Sequence, residues 1–271
     1  MTSDTIPLPL AFDLPNVRDL GGSRTRDGRR VRRGLVFRSP TLARASARDL
    51  ASLERIGLRT VVDLRSAWER ERAPEAERLP RGVAYVIADV NGDGVVHSPM
   101  WQLATLTTAA ERRAAFANGR AEAGFEAKFR DFVTGEGPRR AFGDLLRALA
   151  APGGLPAIFH CSTGKDRTGW AAAVLLRYLG VPMDAVMADY LAGNAAIREL
   201  MLPAIERHVA QGGHEDDLDP LIGVRPSYLL AGLDELTRAF GSVGRYVEDG
   251  LGLGAAAGER LRVALLEPPP G

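Results

Sequence analysis

One stretch constrains this chain more than any other. An apolar run, Leu155 to Phe159, leads into His160-Cys161-Ser162-Thr163-Gly164-Lys165-Asp166-Arg167-Thr168-Gly169, and a second apolar run, Trp170 to Leu179, comes after it. The first run is short and reads as a buried strand; the second is long enough for a buried helix. A strand that feeds a helix through a tight loop belongs to a layered α/β fold. Cys161, the single cysteine of the 271 residues, then sits at a strand end. Ser162 to Asp166 form a short loop opening a helix N-terminus.

That placement has chemical consequences. A helix N-terminus offers unpaired backbone N–H groups and a partial positive charge. A loop of successive N–H groups makes a nest suited to a phosphate dianion. Arg167 lies six residues after the cysteine, about one wrap of such a loop, and its planar fork takes two phosphate oxygens at once. The same surroundings favour the thiolate form of a cysteine. A thiolate under a phosphate cradle is arranged for nucleophilic attack on phosphorus. Rival motifs fail: a nucleotide-binding P-loop needs Gly at Phe159 and Ser or Thr at Asp166. A redox Cys-x-x-Cys pair or a zinc site needs more than one cysteine. An inert buried thiol is the plain alternative for a lone cysteine, and Arg167, Lys165 and the glycines around it speak against that.

The run HCSTGKDRTG resembles the Cys-x5-Arg signature of the protein tyrosine phosphatase superfamily. With Lys165-Asp166 in the loop it is similar to the bacterial tyrosine/serine phosphatase family that also dephosphorylates phosphoinositides. Asn16-Val17-Arg18-Asp19-Leu20-Gly21-Gly22 resembles that family's Asn-Phe-Arg-Asp-Leu-Gly-Gly opening, with Val17 in place of the aromatic. Phe37-Arg38-Ser39 with Asp63-Leu64-Arg65-Ser66, and Asp189-Tyr190-Leu191-Ala192-Gly193-Asn194, resemble it again. So do Gly223 to Leu229 and Gly241 to Tyr246, and the likeness runs from Asn16 to Leu266.

The rest of the chain fits a single phosphatase domain over 1–271. Leu35 to Ser39, Thr60 to Arg65 and Val83 to Ala88 read as further strands, and Arg44 to Ile56 as a helix between the first two. Strand, helix, strand at this spacing makes a parallel pair. The expected fold is α/β, with a mostly parallel central sheet of about four to five strands flanked by helices, as in protein tyrosine phosphatases. Asp27-Gly28 reads as a hairpin tip between short strands, and Trp68 to Ala73 as a short charged helix. Thr105 to Gly119 and Ala121 to Thr134 look helical, inside an insertion over 97–134 larger than a crossover requires. The resemblance implies a helical lid there; extra core helices are the alternative. Helices also fill 183–266, with Pro203 a break or fresh start.

Each site residue then has an expected role. Cys161 attacks, Arg167 clamps the phosphate, and Ser162, Thr163, Gly164, Lys165 and Asp166 line the cradle with it. Thr168 hydrogen-bonds the thiolate and His160 braces the loop. Arg38 and Arg65, at strand ends, either contact phosphate or form structural ion pairs with groups such as Asp63. Three aspartates compete for the general acid: Asp93 and Asp89 after the third strand, and Asp166 inside the cradle. In the superfamily a lysine at position 165 goes with highly anionic substrates, which extends the expected range from phosphotyrosine to phosphoserine/threonine and phosphoinositides. An inositol-polyphosphate phosphatase and a catalytically silent phosphate-binding module are the alternative readings. The chemistry calls for no cofactor and no metal; half a calcium loop at Asn91 to Gly94 lacks its terminal acidic ligand.

A net charge of +1 argues against general nucleic-acid affinity. The basic run Arg24 to Arg33 reads as a solvated hairpin face, with peripheral contact to anionic lipid as the alternative. No apolar run reaches membrane-spanning length, and no basic, apolar leader opens the chain. One cysteine suits a reducing compartment. The expected location is cytoplasmic, or secreted without a recognisable signal.

Overall fold

Side chains of a strand alternate between its two faces, and the central strand obeys that rule with both faces buried. In Ala157–His160, Ala157 and Phe159 join the larger core while Ile158 joins a smaller one on the opposite face. Val36 and Val62 of the neighbouring strands share the larger core; Phe37 and Val61 share the smaller. A strand covered on both faces is the signature of a parallel sheet between helical layers.

The computed structural model describes residues 12–92 and 99–268. Its strands are β1 (Arg18–Asp19), β2 (Val36–Ser39), β3 (Thr60–Asp63), β4 (Ala84–Ile87) and β5 (Ala157–His160). They form one five-stranded sheet in the order β1-β2-β5-β3-β4. All neighbours are parallel except β1 against β2. In register, Ser39 and Asp63 both stand beside His160. The carboxyl ends of three strands therefore finish level, and the loop leaving His160 is flanked by the segments leaving Ser39 and Asp63. Open α/β sheets bind ligands in this crevice.

The helices are α1 (Ala47–Arg55), α2 (Ala67–Arg72), α3 (Pro99–Thr105), α4 (Ala109–Phe116), α5 (Arg120–Thr134), α6 (Glu136–Ala150), α7 (Asp166–Tyr178), α8 (Met183–Ala192), α9 (Asn194–Ala210), α10 (Asp219–Ile222) and α11 (Pro226–Phe240). A final helix spans Ala255–Leu265. Leu53 and Ile56, from α1 and the residue after it, fill the smaller core. The larger core holds Leu145, Leu146 and Leu149 of α6, together with the run from Trp170 to Leu176 and Tyr178 of α7. Phe125, Phe129 and Phe132 of α5 are all buried, each adding roughly 1.5–3 kcal/mol. Phe125 stacks on Tyr228 of α11 at 4.8 Å, and Phe129 meets Trp170 edge-on at 6.2 Å. The insertion helices are thus fused to the core that carries α7. Among the described residues no helix is long and apolar enough to cross a membrane.

Three local expectations need correction. Asp27-Gly28 does turn the chain, with Gly28 at φ 85°, but only an isolated bridge, Arg24 to Arg30, flanks it rather than two strands. The helix expected over Thr105 to Gly119 runs only from Ala109 to Phe116, because Thr108 and Glu111 form a capping box that starts α4 there, while Thr105 closes α3. Pro203 does not break α9. It is exposed, so the carbonyl it leaves unpaired can be hydrated, while Ile197, Met201, Ile205 and His208 pin both halves to the core. Residues 1–11 and 93–98 lie outside the described residues.

Candidate active site

Cys161 to Lys165 join β5 to α7, and this loop is held from outside by its carbonyls. The backbone N–H of Thr41 donates to the Ser162 carbonyl at 3.2 Å. Asn16 Nδ2 donates to the carbonyls of Thr163 at 3.1 Å and Gly164 at 3.3 Å. Arg38 donates a second bond to Gly164, at 2.9 Å. In a trans peptide the C=O and the next N–H point opposite ways. The amides of Thr163, Gly164 and Lys165 therefore face away from these anchors, into the loop. None of them donates to another group among the described residues. Free amides at a helix N-terminus suit an anion, and Cys161, 2% exposed, lies at the start of this loop.

Two glycines make this packing feasible. Gly164 has φ 69°, and a Cβ there would stand 2.5 Å from the Ser39 carbonyl oxygen. Gly169 lies under Tyr190 of α8, whose ring would be 2.9 Å from an added Cβ. The Thr-Gly after Arg167 thus serves helix packing.

Arg167 sits in the first turn of α7 and grips a carboxylate that sequence reasoning did not single out. Its NH1 lies 2.6 Å from Glu69 Oε2 and its NH2 2.7 Å from Oε1. NH1 also donates to the Leu64 carbonyl at 3.2 Å. Glu69 belongs to α2, which starts just past the β3 end; its carboxylate caps Ser66 and accepts from the Ser162 hydroxyl. Burial alone would raise the Glu69 carboxyl, but the Arg167 guanidinium and these donors hold it well below the usual range. For Arg167, burial is outweighed by Glu69 and Cys161, which push its proton affinity up. The readable signal for Glu69 was the capping box Ser66-x-x-Glu69.

Asp166 opens α7 with its Oδ1 buried and without a partner, while Oδ2 lies 3.7 Å from Lys165 Nζ. Burial pushes the Asp166 carboxyl up, and Lys165 and Arg167 only partly offset this. Asp89 is engaged elsewhere: Oδ1 accepts from the amides of Asn91 and Gly92, and Oδ2 from the Ala67 amide at 3.1 Å. Asp93 lies outside the described residues.

The Lys165 side chain does not lie open to the cradle, as a lysine that recruits highly anionic substrates would. It is fully buried, with Nζ 2.6 Å from the Leu221 carbonyl of α10, 3.6 Å from Met100 Sδ and 4.5 Å from the Phe125 ring centre. Burial lowers its proton affinity, with Asp166 opposing. Its aliphatic stem and polar head are drawn into the helical layer by carbonyls that α10 leaves unpaired. Arg65 does not face the cradle either. Nε and NH2 take Asp63 at 2.9 and 2.7 Å, and NH1 takes the Thr41 hydroxyl at 2.9 Å and the Ala73 carbonyl at 2.8 Å. Arg38 is split between Asp189, at 2.7 Å, and the Gly164 carbonyl, so it braces the loop rather than meeting a ligand.

His160 is fully buried behind the cysteine. Its Nδ1 lies 3.2 Å from the Cys161 carbonyl and its Nε2 2.6 Å from Glu75 Oε1. Asp63, Glu75 and His160 bring three ligand-type groups together, with Arg65 among their oxygens as counter-charge. The Thr168 hydroxyl is buried and makes no hydrogen bond to Cys161 or any other described group. Besides Glu69, sequence reasoning missed Glu75 and gave no role to Asn16; polar residues in loops carry no periodic signal.

Similarity to known proteins bears on this geometry. A family model described as "Tyrosine phosphatase family" matches residues 11–267. The chain is 40% identical over 113 residues to a Cupriavidus necator protein named "Putative tyrosine-protein phosphatase", covering 42% of this chain and 41% of that one. It is 33% identical over 152 residues to the "Triple specificity protein phosphatase PtpB" of Mycobacterium tuberculosis, covering 51% and 53%. The matched segments span about half the length of these curated relatives, or somewhat less.

Proposed function

The chain belongs to the tyrosine phosphatase family, and from that premise we propose that it hydrolyses phosphomonoesters, phosphotyrosine first, through a phosphocysteine intermediate. The observation that supports the reading is the anchoring of the Ser162, Thr163 and Gly164 carbonyls from outside, which leaves the amides of Thr163, Gly164 and Lys165 free in the loop between Cys161 and Arg167.

In the proposed reaction the phosphate dianion enters the nest and takes the free amides and the open donors of Arg167. The Cys161 thiolate attacks phosphorus in line, and the phosphorus–oxygen bond to the leaving group breaks. The leaving oxygen takes a proton from Asp166. That assignment rests on burial, which lets Asp166 keep a proton to higher pH than an ordinary carboxyl. Water then attacks the phosphocysteine, gives its proton to the Asp166 carboxylate, and releases inorganic phosphate and the thiolate. His160, Arg38 and Asn16 hold the loop and touch no substrate in this scheme.

The domain reading is part of the proposal: one phosphatase domain, with the insertion over 97–134 as a wall or lid. Met100 of α3 and Phe125 of α5 contact the Lys165 side chain, which supports it. With Lys165 buried, no rim lysine favours inositol lipids. The relative named for triple specificity leaves phosphoserine/threonine and a third substrate class for direct assay. The deciding experiment is a panel of phosphotyrosine, phosphoserine and phosphothreonine peptides, phosphoinositides and soluble inositol phosphates, run with wild type and Cys161→Ser together. Cys161-dependent release, fastest from phosphotyrosine, is expected. Preference for soluble inositol phosphates would favour the inositol-polyphosphate reading, and phosphate binding without turnover the silent module.

A further inference from the structure

The segment 24–33 holds six arginines and one acidic residue, Asp27. It carries +5 in a chain whose net charge is +1, so the remaining residues carry −4. Asp27 is taken by Arg29, at 2.7 Å. Arg30 donates to the Gly22 carbonyl and Arg32 to the Leu266 carbonyl. Among the described residues no carboxylate pairs with these two, nor with Arg24 or Arg26.

Burial sorts the segment by face. Thr25 and Val31 are 5% and 3% exposed, whereas Arg24, Arg26 and Arg32 are exposed and Arg30 is half-buried. Alternate residues of an extended chain point to opposite sides, and Arg24 stands across from Arg30 in an antiparallel bridge. The four arginines therefore share the outer side of the turn. The backbone fixes that side: the Arg26 amide donates to the Gly180 carbonyl at 3.0 Å and the Arg32 amide to the Leu265 carbonyl at 2.7 Å. Like charges held together without counter-charge repel one another, and a polyanion that meets them finds them already ordered.

This face lies at the pole opposite the cradle. Gly180 comes two residues after the end of α7 at Tyr178, whereas the cradle opens the same helix at Asp166. Thirteen helical residues separate the two by about 20 Å. The nature of the polyanion follows from what stands nearby. Strands of nucleic acid want aromatic rings to stack on, and the exposed aromatic ring among the described residues, Trp68, belongs to α2 at the cradle pole. Beside the basic face is an aliphatic side chain instead: Val263 is 64% exposed, two residues before Leu265, which receives the Arg32 amide. Guanidinium groups bordered by an apolar side chain suit lipid phosphates and the acyl boundary beneath them.

We propose that Arg24, Arg26, Arg30 and Arg32 dock the protein on a membrane surface of anionic lipid, with the cradle turned away from it. Docking itself is independent of the phosphatase reading. Its consequence for substrates rests on that reading: the docked enzyme reaches phosphoproteins in the aqueous phase, not headgroups of the bilayer that holds it.

The test is sedimentation of the full chain with phosphatidylcholine vesicles, with and without phosphatidylserine, at low and physiological salt. The variants are Arg24→Gln/Arg26→Gln, the same pair with Arg30→Gln and Arg32→Gln added, and Arg130→Gln/Arg140→Gln as a control from the exposed surface of α5 and α6. Wild type should sediment with the anionic vesicles alone, and less as salt rises. Each lost arginine should lower partitioning about fivefold, and the first pair roughly twentyfold. The control should bind like wild type. If the quadruple variant does not fold, the Arg24→Gln/Arg26→Gln pair decides. A wild type that ignores anionic vesicles, an equal loss in the control, or tighter binding to DNA than to the vesicles would each overturn the proposal. Saturating vesicles should leave turnover of a soluble phosphotyrosine peptide unchanged; inhibition would overturn the orientation. Vesicle binding without any Cys161-dependent turnover would sink the phosphatase reading and leave the docking face standing.

Discussion

The carbonyl oxygen of Ser39 occupies the place where Gly164 would carry a Cβ, 2.5 Å from that position. The end of β2 and the turn of the cradle are thereby in close backbone contact. Gly164 also has φ 69°, which costs an ordinary L-residue roughly 1–2 kcal/mol.

Gly164→Ala should therefore hurt twice. We expect a lower Tm and a loss of kcat/KM on the order of 10²-fold, because the amides of the nest move by a fraction of an ångström or more. Circular dichroism and steady-state kinetics on one preparation check both. An alanine variant with wild-type activity would show that the turn tolerates another path.

Asn16 reaches 147 residues along the sequence to the Thr163 carbonyl and also serves Gly164. Asn16→Ala removes a donor from a partly buried pair of acceptors, a loss of about 1–3 kcal/mol. Denaturant unfolding should show that destabilisation, with kcat/KM falling further than stability alone explains. Equal activity in the folded variant would mean that Arg38 and Thr41 suffice to hold the loop.

Asp166 gives a pH prediction with a definite sign. Burial raises its carboxyl, so the proton needed by the leaving group is present below that raised value and lost above it. The basic limb of kcat should fall at a pH above the ordinary carboxylate range. Asp166→Asn should flatten that limb and slow poor leaving groups far more than p-nitrophenol. A limb unchanged in Asp166→Asn would hand the role to Asp93 or Asp89.

Much of this site was legible because it is written as one contiguous run. Strand β5, the cysteine, the glycine and the arginine appear in order, and alternation over Ala157 to Phe159 matches the two cores. What could not be read was the partner of each charge. Lys165 is adjacent to the cradle in sequence, yet unpaired carbonyls of α10 pull its head into the helical layer. Arg65 stands just past a strand end like a ligand-binding residue, but Asp63 two positions earlier captures its fork. Glu69 announced itself only as a helix cap. Its bond to Arg167 crosses 98 residues, and no local pattern encodes such a pairing.

The Glu69–Arg167 pair also sets a stability window. The Glu69 carboxyl is held below its ordinary value near 4.5. A depressed carboxyl contributes stability that is complete above its unfolded value and is lost as pH falls through its folded one. Wild type should lose stability steeply over that acid range, and Glu69→Gln should lose less per pH unit while starting lower. Urea midpoints at several acidic pH values measure the two slopes; parallel slopes would mean the pair is not coupled to folding.

The central claim is that one sulfur accepts the phosphoryl group. The most direct test is to mix the protein with p-nitrophenyl phosphate, quench in acid within the first turnover, and locate any added phosphoryl group by mass spectrometry. The account predicts a single phosphoryl group on Cys161 in wild type and in Asp166→Asn, and none in Cys161→Ser. Turnover that persists in Cys161→Ser, or a phosphoryl group on any other residue, would contradict it.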